Sequence, residues 1–178
     1  MNRRRLVAVL GAAVAALAIA GASFASPPRT YITHLTGDAE RPTPRDTAAK
    51  GVAVFNVAPD GESISYKLVS TTIDNAFMAH IHIGPVEGTG PISVWLFPST
   101  TPGEQGPLGS GRHNGLLAMG TITSADVGGP LAGGGLDALI EAIAAGNAYV
   151  NVHTNDGVGD PNTGPGDFPG GEIRGQLP

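Results

Sequence analysis

The chain has 178 residues, with 15 Asp+Glu against 10 Lys+Arg, 27 Gly, 15 Pro and no cysteine. The missing cysteines exclude a disulfide framework, an iron–sulfur cluster, a Cys-ligated zinc finger and a thiol nucleophile. The acidic balance argues against nucleic acid as a partner, because a phosphate backbone is bound through clustered cations.

The first 25 residues read as a secretory signal. Arg3, Arg4 and Arg5 precede an uncharged apolar run from Leu6 to Ala20, and small residues stand at Ser23 and Ala25. A basic start, an apolar middle and small residues at the cut are the signature of such a peptide, with cleavage expected after Ala25. The apolar run falls short of the roughly 20 residues that cross a bilayer, so no stable membrane span is expected after cleavage. Loss of three arginines leaves a more acidic mature chain, expected as one domain over 26–178. Secretion to the periplasm or exterior follows, and a cysteine-free secreted chain fits a bacterial envelope or medium.

In the mature part, glycine and proline crowd into three stretches, 101–115, 128–135 and 157–171, which read as long loops on a folded body. The body alternates with period two. Strand candidates are Tyr31 to Thr36, Val52 to Val57, Ser63 to Leu68, Met78 to Ile83, Ile92 to Phe97, Leu116 to Thr123, Ala148 to Thr154 and Glu172 to Leu177. Ile64, Tyr66 and Leu68 point inward, as do Ala79, Ile81 and Ile83, then Ala148, Val150 and Val152. Pro59-Asp60-Gly61 predicts a hairpin between the second and third strands. One segment has another period: Leu136, Leu139, Ile140 and Ile143 fall at i, i+3, i+4 and i+7, with Gly146 placed as a C′ glycine. It predicts a short amphipathic helix over 136–145, packed across a sheet end. The expected fold is therefore mainly β, an antiparallel sandwich of immunoglobulin-like kind or a Greek-key barrel, with about eight strands and one helix.

Three segments carry a family resemblance. The first is Leu35-Thr36-Gly37-Asp38-Ala39-Glu40-Arg41-Pro42. The second is Ala79-His80-Ile81-His82-Ile83-Gly84-Pro85, continuing to Gly88 and Gly90-Pro91. The third is Gly146 to Thr154, followed by Gly170-Gly171-Glu172-Ile173-Arg174-Gly175-Gln176-Leu177. Together they resemble the CHRD domain family, named after chordin, from about Tyr31 to Leu177. Long insertions near 99–115 and 155–169 depart from its pattern. The resemblance implies an extracellular β domain, alone behind a signal peptide. Growth-factor antagonism by chordin-like proteins does not carry over to such a chain.

Alternation also selects candidate chemistry without the family. His80 and His82 share one strand face. Asn151 and His153 face away from Val150 and Val152, and Glu172 and Arg174 face away from Ile173. If the three strands are neighbours, one sheet face gathers three imidazoles, an amide, an acid and a guanidinium. His-x-His on a strand plus a third histidine is a tridentate set for copper or zinc. The same residues also read as a structural polar cluster on a half-exposed face, with Glu172 and Arg174 as an ion pair fixing the last strand. His34 and His113 have no spacing relation to them and read as solvent or loop residues. Trp95 and Phe97 share a face, either packed under the helix or forming a binding patch. The loop 155–167 offers Asp156, Asp160 and Asp167 as calcium ligands, or is a solvated insertion. No nucleophile elbow, phosphate loop or dinucleotide fingerprint is present, so no enzyme is expected. The sequence thus points to a secreted, non-enzymatic binding or structural component with an extracellular protein or envelope ligand as partner. The alternative is a metal protein or metalloenzyme built on His80, His82 and His153.

Overall fold

The computed structural model describes residues 29–178, so the predicted signal segment lies outside the described residues. Eight strands form one antiparallel sheet: β1 Thr30–Thr36, β2 Lys50–Val57, β3 Ile64–Asp74, β4 Ala76–Ile83, β5 Ile92–Phe97, β6 Arg112–Ile122, β7 Ala148–Thr154 and β8 Ile173–Gln176. One helix, α1, spans Gly135–Ala144. The spatial order is β5-β4-β7-β8-β1-β2-β3-β6. The two end strands, β5 and β6, lie in contact, and the Tyr66 hydroxyl of β3 donates to Leu96 O of β5 at 2.7 Å across the seam. The sheet is thus a nearly closed barrel, which removes most of its exposed edge.

Inward residues fill the interior. Leu35, Phe55, Leu68, Ile81, Val94, Leu96, Ile122, Val150, Val152 and Ile173 are buried in one cluster, joined by Leu136, Leu139 and Ile143 of α1. These are three of the four stripe residues seen in the sequence; the fourth, Ile140, is partly buried against the same cluster. The helix ends where expected: Gly146 has φ +66° and donates its N–H to Ile143 O. The β2–β3 hairpin turns at Asp60-Gly61, with Ala58 N–H donating to Ser63 O. β3 and β6 run to eleven residues each, longer than their alternation shows. Bulges at Leu68/Val69 and Ser70/Ile73 interrupt the period while hydrogen bonding continues. His113, read as a solvent or loop residue, stands on β6, half-buried, with Nδ1 3.0 Å from Ser70 Oγ. His34 is exposed on β1.

The sheet is not covered evenly. Over β1, β2, β3 and β6 the outer face meets solvent, with Ile32 and Met119 52% and 61% exposed. Over β4, β7 and β8 both faces are buried, and every residue of β7 is buried. Three segments fold onto that outer face: 37–47, the turn 84–91 and the long loop 155–171. They hold it through Glu172, Arg174 and the carbonyls described below.

Candidate metal centre

The strand order puts β4, β7 and β8 side by side, with His80 opposite Asn151, His82 opposite Tyr149 and Asn151 opposite Arg174. The three imidazoles therefore meet. Ring centres of His80 and His153 are 4.8 Å apart, those of His80 and His82 5.5 Å, and those of His82 and His153 6.1 Å. One nitrogen from each ring lies within 4.8 Å of the others. The face is not half-exposed, as the alternation suggested. His80, His82 and His153 are 0%, 8% and 7% exposed, because the glycine- and proline-rich loops close over them.

Hydrogen bonds select the tautomers. Carbonyl oxygens can only accept, so His82 Nδ1–H donates to Gly90 O and His153 Nδ1–H donates to Pro169 O, each at 2.8 Å. The Nε2 atoms of both rings are then lone pairs. His153 Nε2 lies 3.0 Å from His80 Nδ1, which must be the donor. His80 Nε2 is in turn a lone pair. Burial holds His80 down to about 2, helped by His153 and His82. Burial likewise holds His153 down to about 4 and moves His82 in the same direction. All three rings are therefore neutral near pH 7, the form that binds a metal.

Four buried side-chain polar atoms among the described residues lack a hydrogen-bond partner in the protein: His80 Nε2, His82 Nε2, Asn151 Oδ1 and Glu40 Oε1. Asn151 stands between two of the others, near enough to His82 and to Glu40 to influence the protonation of both. Glu40 is 2% exposed, and burial pushes its carboxyl up to about 7 against the pull of Arg174. Gly171 lets these groups approach. Its φ is +122°, and a Cβ there would sit 2.6 Å from Glu40 Oε1 and 2.9 Å from Asn151 Nδ2. Glu40 belongs to the opening motif, but alternation gives it no link to the histidines, so spacing alone does not select it.

Glu172 and Arg174 do not form an ion pair. Glu172 accepts from Thr47 Oγ1 (2.6 Å), Thr154 Oγ1 (2.7 Å) and Gly166 N (2.8 Å). Arg174 instead donates to Gly88 O (2.6 Å) and Pro85 O (2.9 Å). Separate loops cover the two side chains and offer each a full set of partners. Trp95 does not pack under the helix: β5 pairs with β4, and its ring meets His80 edge-on at 4.2 Å. In the 155–167 loop, Asp156 and Asp167 spend oxygens on local N–H groups at Val158 and Thr163, and Asp160 is exposed. Among the described residues, the group of metal-ligating side chains that converges is His80, His82 and His153.

A family model for the CHRD domain matches residues 31–160. The chain belongs to the CHRD domain family. CHRD is in general an extracellular domain and is not a known enzyme family. The match contains Glu40, the three histidines and Asn151; it ends at residue 160, inside the long 155–171 loop, so β8 with Glu172 and Arg174 lies outside it. No curated protein matches the chain, and no solved structure does. No helix among the described residues is long and apolar enough to cross a membrane.

Proposed function

We propose that this CHRD domain is a secreted, non-enzymatic metal-binding protein that takes copper or zinc at His80, His82 and His153. The observation that carries the reading is the orientation of His82 and His153. Each donates Nδ1–H to a backbone carbonyl and leaves Nε2 toward the cluster. That arrangement is typical of metal-ligating histidine, because the second bond fixes ring and tautomer. Imidazole suits both zinc and copper. Bonds of 2.0–2.1 Å at tetrahedral angles would bring the ligating nitrogens to about 3.3 Å of one another. His80 Nδ1 and His153 Nε2 are already 3.0 Å apart, and all three rings offer a nitrogen within 4.8 Å of the others, so metal binding would draw His82 inward. A cation in place of the His80–His153 hydrogen bond requires His80 to carry its proton on Nε2 instead of Nδ1.

Trp95 supplies the test. It is the single tryptophan, and it touches His80. Cu(II) added to metal-free protein is expected to quench its fluorescence saturably at one equivalent. Zn(II) is expected to compete with it and to co-elute after dialysis. His82→Ala and His153→Ala are expected each to weaken binding at least 100-fold. Absence of saturable binding by either ion, or unchanged affinity in both folded variants, would overturn the reading.

A further inference from the structure

Arg174 is 1% exposed, and among the described residues no carboxylate forms a salt bridge with it. An unpaired buried cation is costly, so its partners must be good ones. Its guanidinium donates to Gly88 O and Pro85 O, and to Gln176 Oε1 at 3.1 Å. These bonds fasten the turn 84–91, which carries Gly90. The turn lies hard against β4: a Cβ on Gly90 would sit 1.7 Å from Ile83 O, so only glycine allows the approach. Gly90 O is the acceptor for His82 Nδ1–H.

A second connection runs through Tyr149. The guanidinium carbon lies 3.5 Å from the centre of the Tyr149 ring. Tyr149 in turn stacks on His82, with centres 4.9 Å apart and planes within 6°. Its hydroxyl accepts from Gly90 N at 3.1 Å, tying ring and turn together. Both constraints on His82, the plane of its ring and the partner of its Nδ1, therefore lead back to Arg174. A planar fork that stacks and binds several carbonyls at once has no equivalent in lysine.

We propose that Arg174 is a positioning residue of the histidine centre, acting through Tyr149 and Gly90 to hold His82 as the Nδ1–H tautomer with Nε2 free. Its effect on metal affinity rests on the metal-binding reading above; its effect on the His82 ring does not. Arg174→Lys keeps the charge and loses the fork. In metal-free protein, long-range ¹H–¹⁵N NMR of the imidazoles is expected to show His82 leaving a single Nδ1–H tautomer while His153, held by Pro169, keeps its own. Urea unfolding establishes that the variant is folded. In the same variant the Zn(II) Kd is expected to rise about 10- to 100-fold, the usual effect of losing a group that orients a ligand. A folded Arg174→Lys protein with wild-type His82 tautomer and Kd within twofold would overturn the proposal. Should that variant fail to fold, Tyr149→Leu decides. It removes the ring between Arg174 and His82, and an unchanged His82 tautomer in it would be equally fatal. If wild-type protein binds no zinc, the metal reading fails while the tautomer measurement still tests the role of Arg174.

Discussion

Replacing Glu172 tests how the long 155–171 loop is held over the histidines. The carboxylate is 1% exposed and accepts three hydrogen bonds, from Thr47, Thr154 and the Gly166 N–H. It thereby joins three separate segments. A hydrogen bond to a charged group contributes about 1.5–3 kcal/mol, and a buried donor left without an acceptor costs about 1–3 kcal/mol. The three bonds share one acceptor group and do not simply add. Glu172→Ala is therefore expected to destabilise the fold by about 4 kcal/mol, a large part of a typical domain's total. Glu172→Gln keeps the volume and one accepting oxygen, and a threonine hydroxyl can turn to accept from its amide. Its cost is expected near 1–2 kcal/mol. Urea unfolding at pH 7 measures both, with an unchanged slope showing that the midpoint reports stability. Pro169, whose carbonyl orients His153, belongs to the same loop. The alanine variant should therefore also bind metal more weakly than wild type. A cost below about 1 kcal/mol for alanine, or equal costs for the two variants, would refute the account of the loop anchor.

The metal-free protein is expected to lose stability in mild acid. His80 and His153 titrate at about 2 and about 4 when folded and near 6.5 when unfolded, so their stabilisation is complete above pH 6.5 and lost as pH falls. For His153 alone the difference corresponds to on the order of 3 kcal/mol. Glu40 acts in the opposite sense, because its folded value is raised to about 7 and its contribution declines from pH 4.5 upward. Two histidines outweigh one carboxyl, so the urea midpoint should rise between pH 4.5 and 6.5; a flat or falling profile contradicts the burial of neutral rings. Ile81→Ala, at a fully buried core position, should cost about 3 kcal/mol in the same assay, against less than 1 for an exposed strand site such as Lys67→Ala. Gly171→Ala combines a positive φ with a clash against Glu40 and should cost about 2–3 kcal/mol; wild-type stability there would refute the close approach of Gly171 to Glu40. Tyr66→Phe removes the hydroxyl that bridges the barrel seam and leaves Leu96 O without that donor, a loss of about 1–2 kcal/mol by thermal or urea unfolding.

The amino-acid order alone determined the repeating elements. Ile64, Tyr66 and Leu68 alternate because a pleat has a period of two, and Leu136, Leu139 and Ile143 recur as a helix turns; each pattern is local and survives without knowledge of neighbours. It also put His80 with His82 on one face and gave His153, Asn151 and Tyr149 another shared face. What local periodicity cannot carry is which strands lie together and what lies over them. The order β5-β4-β7-β8 joins residues some seventy positions apart, and that pairing turns three scattered imidazoles into one cluster. Burial of the outer face was hidden for a related reason. Loops rich in glycine and proline look solvated in isolation, yet Glu172 and Arg174 draw them down onto the sheet through backbone N–H and carbonyl groups that every residue type shares. Such contacts leave no side-chain signature in the covering loop. The same holds for Gly90 and Pro169, whose carbonyls decide the histidine tautomers, and only tertiary packing could reveal them.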